Sequence, residues 1–308
     1  MLFSRNALGM EIHQDAARLV AVSGKPHIPK LEAYVEVDFP PETLRLSLKE
    51  KNVKNPEAFV AKIHDAYVRM LMTTSRISVS LPDSVGRVMV LDLETRFKTK
   101  EEGADIIRWK LKKSLPLDVN DMHLDYQVIQ EKETGEISVL SSLIARQVVT
   151  QYEELLSEAG LQPNRIDFTT FNLYRFFSSR LERMENAAFI IWHSGIMSIM
   201  IFYNGMPDFY RAKEIPCIPG SAIRFSRELN NSLLFYRDRN PASALSEVFF
   251  VAPPEDAETV REVIAEASGL SPVLLDARRI VARNEKISPS YAELQALSAS
   301  IGAAVRNL

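Results

Sequence analysis

The 308-residue chain has a single cysteine, Cys217, so no disulfide can form within it. That fits a reducing compartment. It also lacks an excess of charge: the formal net charge is -3, and no block of like charges occurs. Neutralising nucleic-acid phosphates needs a basic surface, so nucleic acid is not an expected partner. Long hydrophobic runs are scarce too. The longest, Phe189 to Tyr203, is interrupted by His193, Ser194 and Gly195, and it is too short to cross a bilayer as a helix. Met1 to Asn6 hold no apolar stretch before a small-residue cleavage site, so no signal peptide is expected. These absences predict a cytoplasmic protein with no direct membrane insertion, which reaches any membrane through a partner.

What is present is an ordinary globular composition, 46% hydrophobic and 25% charged, in a chain long enough for more than one packed unit. Two stretches look like one device built twice. Leu8 to Ile12 reads as a strand, His13-Gln14-Asp15 as a polar turn, and Arg18 to Val22 as the returning strand. Ala187 to Trp192, the turn His193-Ser194-Gly195 and Ile196 to Tyr203 repeat that order.

Between and after the hairpins, strands alternate with helices. Lys30 to Phe39 is an alternating strand that bends at Pro40-Pro41. Asn55 as N-cap and Pro56 at the first helical position start a helix expected to run to about Met72. Strands follow at Ile77 to Leu81 and Arg87 to Leu93. A charged amphipathic helix spans Thr99 to Ser114, with Ile106, Ile107, Trp109 and Leu111 as its apolar members, and Leu115-Pro116-Leu117 ends it. Trp109 and Trp192 are expected in cores. His123 to Gln130 and Ile137 to Ala145 are strands. A helix over Gln147 to Ala159 closes at Gly160. A short strand at Arg165 to Phe168 leads into a helix over Thr169 to Met184. The second half continues with a strand at Pro207 to Ala212 and a helix at Pro219 to Asp238. The strand Glu247 to Val251, the helix Asp256 to Ser268, the strand Val273 to Leu275 and the helix Tyr291 to Val305 complete it.

Hairpin, sheet and helix, repeated in two halves, resemble the actin-like ATPase fold shared with Hsp70 and hexokinase. Within it the chain looks most like the PilM family of type IV pilus assembly and its relative FtsA. Gly9 to Val22 and Ala187 to Arg211 match the two phosphate motifs of that fold. Ile107-Arg108-Trp109-Lys110 through Leu115-Pro116-Leu117, then Asp125-Tyr126, resembles a PilM signature. Ala159 to Pro163 with Ile166-Asp167 is also PilM-like, and Gly302 to Arg306 matches the helix that closes the core. The resemblance implies an α/β, actin-like (RNase H-like, duplicated) fold. Residues 1–81 with 146–186 would form the first subdomain, 82–145 an inserted α+β subdomain, and 187–308 the second. A helix follows Arg211 within about ten residues. The subdomain that covers the nucleotide in relatives is therefore expected to be reduced or missing.

The phosphate turns carry unsuitable residues. The family pattern is Asp-x-Gly, with Asp holding the magnesium water shell and Gly letting backbone N–H groups approach phosphate. Here Glu11 stands at the Asp position and His13 at the Gly position of the first turn, followed by Gln14. In the second, His193 stands at the Asp position, Ser194 follows, and Gly195 fits the glycine. The adenosine motif, a strand ending in Gly-Gly in relatives, ends here in Ala252-Pro253-Pro254. Neither ATP nor magnesium is therefore an expected cofactor. No metal site is expected either: His13 and His193 are expected as solvated turn residues, although with Glu11 they could face one another across the cleft.

By resemblance, the expected role is a non-catalytic scaffold of a type IV pilus or type II secretion inner-membrane platform. Its partner would be a PilN-like bitopic membrane protein, bound through its N-terminal tail, together with other platform components. The tail would lie in a groove about Leu81 to Ala145, with Leu81, Val88, Trp109, Leu115, Pro116 and Leu117 as candidate residues. The alternative is an active ATPase with Glu11 and His193 as unusual ligands. Relatives in secretion systems continue into a transmembrane segment, and a continuation past Leu308 stays open.

Overall fold

In the computed structural model, the described residues are 6–112, 115, 118–131, 135–216, 220–241 and 243–308. Alternating apolar residues build the first sheet from a meander. Strand β1 (Ala7–Ile12) pairs antiparallel with β2 (Ala16–Lys25), and β2 with β3 (Ile28–Asp38). Every residue of β1 is buried, because structure covers both of its faces. Helix α1 (Pro56–Arg69) leads to β4 (Arg76–Leu81), which lies parallel to β1. The Asn55 side chain accepts the Ala58 N–H at 3.1 Å, as an N-cap does. The helix stops short of the expected Met72, and Leu71 takes a left-handed φ of 52°.

An insert follows: β5 (Gly86–Leu93), α2 (Lys100–Lys112), β6 (Met122–Glu131) and β7 (Ile137–Ala145), in the sheet order β5-β7-β6. Ile107 and Leu111 of α2 are buried, as their four-residue spacing requires. Trp109 is not in a core. Two positions after Ile107 it points to the opposite side of the helix and is 65% exposed. Pro116 and Leu117 lie outside the described residues.

Helix α3 (Arg146–Glu158) returns the chain to β8 (Gln162–Phe168), which is parallel to β4 and completes the order β3-β2-β1-β4-β8. The helix expected over Thr169 to Met184 is two pieces, α4 (Thr169–Phe176) and α5 (Ser178–Leu181), broken at the buried Phe177.

The second sheet repeats the first. It contains β9 (Ala187–His193), β10 (Ile196–Tyr203) and β11 (Met206–Glu214) as the meander. After α6 (Ser221–Arg239), strand β12 (Glu247–Val251) lies parallel to β9. After α7 (Ala257–Ser268), strand β13 (Val273–Leu274) lies parallel to β12, giving the order β11-β10-β9-β12-β13. Residues 215–220 alone join β11 to α6, which leaves no room for a further subdomain there.

The chain ends in α8 (Tyr291–Ala296) and α9 (Ser298–Ala304), two helices where the pattern suggests one. Helix α9 is wholly buried and crosses the linear boundary, packing on β1 and α4 of the first lobe. Val20, Val22 and Leu31 of the first sheet share one core with Phe189 and Val251 of the second and Ile301 of α9. Two glycines allow this approach. A Cβ on Gly9 would collide with the Ser300 carbonyl, and one on Gly302 with the Asn172 carbonyl.

Backbone cannot yield there as a flexible side chain would. Gly302→Ala is therefore expected to destabilise the fold by about 1–3 kcal/mol, as overpacking does. Urea unfolding checks this; an unchanged midpoint would contradict the packing described.

Candidate functional site

The two hairpin turns meet in a cleft of about 600 Å³ between the lobes. In the second turn, Ser194 and Gly195 have φ values of 49° and 74°, and Ile196 pairs directly with His193. This is the two-residue turn with both central residues left-handed, which favours glycine. In the first turn, the His13 N–H donates to the Ala16 carbonyl at 2.8 Å. That N–H is committed to the turn and does not face the cleft.

Side chains from the two turns interlock. His193 Nε2–H donates to Glu11 Oε1 at 2.6 Å. His13 Nδ1 and Ser194 Oγ are hydrogen-bonded at 2.7 Å. The imidazole rings stack with centroids 5.9 Å apart. Arg18 NH1 lies 3.7 Å from Glu11 Oε2 while its Nε bonds Glu36 at 3.1 Å. His13 and His193 are each only 8% exposed, so they are not the solvated turn residues expected from the sequence. Their partners come from the facing turn, and that contact is what buries them. Gln14 and Ser194 are exposed at the cleft, and Gly195 is half-buried.

Burial alone would raise the pKa of Glu11, but the attraction of His193, His13 and Arg18 and the His193 hydrogen bond hold it down at about 2. The carboxylate is ionised at neutral pH. Burial lowers the pKa of His13 to about 3, against the pull of Glu11, so its imidazole is neutral.

A second knot closes the cleft floor. Asp83, just after β4, accepts the Tyr210 O–H at 2.6 Å and the Thr170 N–H at 3.2 Å. It joins the start of the insert to β11 and α4. Burial pushes its pKa up to about 6, against the hydrogen bonds from Tyr210 and Thr170. The sequence reading missed Asp83, Tyr210 and Arg18. Asp83 had one signal: it follows the carboxyl end of a parallel strand, where open α/β sheets place their sites.

Ala252 is buried and Pro253 half-buried at the end of β12. Beside them the Trp192 indole N–H donates to Asp256 at 2.8 Å, and its ring meets Phe225 edge-on at 5.4 Å. The cavity there is about 40 Å³, too small for a nucleobase. A magnesium nucleotide needs oxygen ligands and free backbone N–H donors. Glu11 already receives His193, the His13 N–H is committed, and imidazole suits softer metals, so these residues do not fit that group.

The described candidate docking residues do not form one surface. Leu81 and Val88 are core side chains, 0% and 7% exposed, and Leu115 is half-buried against the same core. Trp109 stands exposed on α2. A groove of about 510 Å³ does lie between insert and first lobe. It is lined by His123 and Asp125 of β6, Arg146 and Glu153 of α3, and Arg165 and Asp167 of β8. Among the described residues, strands β6 and β8 are sheet edges, each paired on one side only. Among the described residues, no helix is long and apolar enough to cross a membrane.

The family profile described as type IV pilus assembly protein PilM matches residues 9–201. No curated protein matches. Among solved structures, a chain of the PilM-PilN type IV pilus biogenesis complex superposes with a TM-score of 0.82 at 19% identity, covering 97% of this chain and 98% of that one. A protein of actin-like ATPase fold from Bacteroides thetaiotaomicron matches with a TM-score of 0.53 at 12% identity, covering 91% and 93%. The cytoplasmic domain of EpsL, an inner-membrane component of the type II secretion system of Vibrio cholerae, matches at 0.52 and 11% identity, covering 96% and 94%. The fold is thus the actin-like one that the paired hairpins suggest.

The Asp83 pKa gives a signed expectation. The folded chain keeps the Asp83 proton up to about pH 6, against 3.8 for an ordinary carboxyl. Its contribution is complete below 3.8 and is lost as pH rises to about 6. Asp83→Asn removes that loss. The variant is expected to gain on wild type between pH 4 and 6, by about 3 kcal/mol at neutral pH. Urea unfolding across that range checks it, and a stability difference independent of pH would contradict it.

Proposed function

The chain belongs to the family of the type IV pilus assembly protein PilM, and from that premise we propose that it is a non-catalytic scaffold. It would hold the N-terminal tail of a PilN-like bitopic membrane protein at the cytoplasmic face of an inner-membrane pilus or secretion platform. The observation that carries this reading is a contrast between two clefts. At the one that grips phosphate in other actin-like proteins, the side chains of the two turns bond one another. The groove between insert and first lobe is open and bordered by two unpaired strand edges.

An extended peptide can pair its backbone with such an edge while its side chains enter the groove. Strand β8 is the better platform, because its residues Pro163 to Asp167 line the groove almost continuously. Arg146 and Arg165 offer cationic contacts along it, and Glu153 offers an anionic one. The solved PilM-PilN structure is a complex of two such proteins, which supports a partner of this kind. Other platform components would assemble around the pair.

Calorimetry of the full chain against the cytoplasmic tails of PilN-like bitopic proteins from the same genome tests the proposal. The expected result is saturable binding, weakened at least tenfold by Arg165→Glu, a change at an exposed residue. Absence of binding by any such tail would overturn the proposal.

A further inference from the structure

The two hairpin turns place three metal-type donors together. One oxygen of Glu11 and one ring nitrogen each of His13 and His193 lie within 4.8 Å of one another, and all three residues are buried. We propose that these residues bind one divalent transition-metal ion of the zinc type, clamped between the two lobes. This goes beyond the scaffold role and does not depend on the tail.

Two orphaned atoms point to the ligand. Glu11 Oε2 and His13 Nε2 are buried without a hydrogen-bond partner, and they face one another 3.7 Å apart. That is too long for a hydrogen bond. With Nε2 unprotonated, a buried carboxylate oxygen and an imidazole lone pair stand opposite one another, with Arg18 3.7 Å from that oxygen on another side, and a metal cation between them would engage both. The second ring nitrogen of His13 is held by Ser194 Oγ at 2.7 Å. When Nδ1–H donates to that oxygen, Nε2 presents its lone pair to the site. Such an outer contact fixes the ring of a ligating histidine.

On binding, His193 presents Nε2 to the ion and gives up its hydrogen bond to Glu11. Arg18 remains with Glu36. Two imidazoles and a carboxylate form a set typical of zinc or cobalt and unsuited to magnesium or calcium. The cleft gives the ion an entry path and leaves a coordination position for water.

The probe is cobalt(II), titrated into the full, metal-stripped chain without a histidine tag, followed by zinc competition. The expected result is one cobalt per chain with the intense visible bands of four-coordinate cobalt, bleached by zinc. Affinity falls at least tenfold in His13→Gln and in His193→Gln but not in His27→Gln or His123→Gln, which alter exposed histidines. Equal binding by the cleft variants, or only the weak spectrum of hexahydrated cobalt with wild type, would overturn the proposal. The wild-type spectrum and stoichiometry decide even where a cleft variant does not fold.

Discussion

One hydrogen bond organises this molecule: His193 of the second hairpin donating to Glu11 of the first at 2.6 Å, across the line between two lobes. A buried carboxylate cannot stay ionised without partners. Glu11 finds them in His193, in His13 and in Arg18; His13 lies on the first turn, and Glu11 and His193 near the ends of the strands that enter the two turns. Once that cluster is satisfied, the turns are held at a fixed separation. The cleft between them is lined by side chains that bond one another.

The rest of the architecture reinforces this closure. Helix α9 is threaded against β1 and α4, with glycines where Cβ atoms would strike backbone, and the lobes share one apolar core. Asp83 adds a polar knot among insert, β11 and α4. These ties join the two lobes, and the insert borders a separate groove. The proposed division of labour is therefore physical. The cleft holds the lobes together, and the groove between β6 and β8 meets the partner.

Much of this was legible in the sequence. The second hairpin could be placed closely because its strands are nearly pure apolar runs around a Ser-Gly turn, and β10 begins and ends where the pattern places it. The substituted turns pointed to Glu11, His13, Gln14, His193, Ser194 and Gly195, which line the cleft between the hairpins. The rest was not local information. Glu11 and His193 are 182 positions apart, so nothing near either residue reveals its burial. Phe177 interrupts a helical pattern because its side chain is drawn into a core shared between lobes. Trp109 was misplaced by counting it as apolar without following its helical phase. Leu81 and Val88 were mistaken for surface because proximity in sequence to a groove does not say which face of a strand lines it.

The central claim is that side chains have taken the place of the nucleotide. Titrating the full chain with ATP and magnesium, and following its thermal unfolding, tests it most directly. The account predicts an unfolding temperature that does not move at any nucleotide concentration, with or without magnesium. A saturable, magnesium-dependent rise would contradict it.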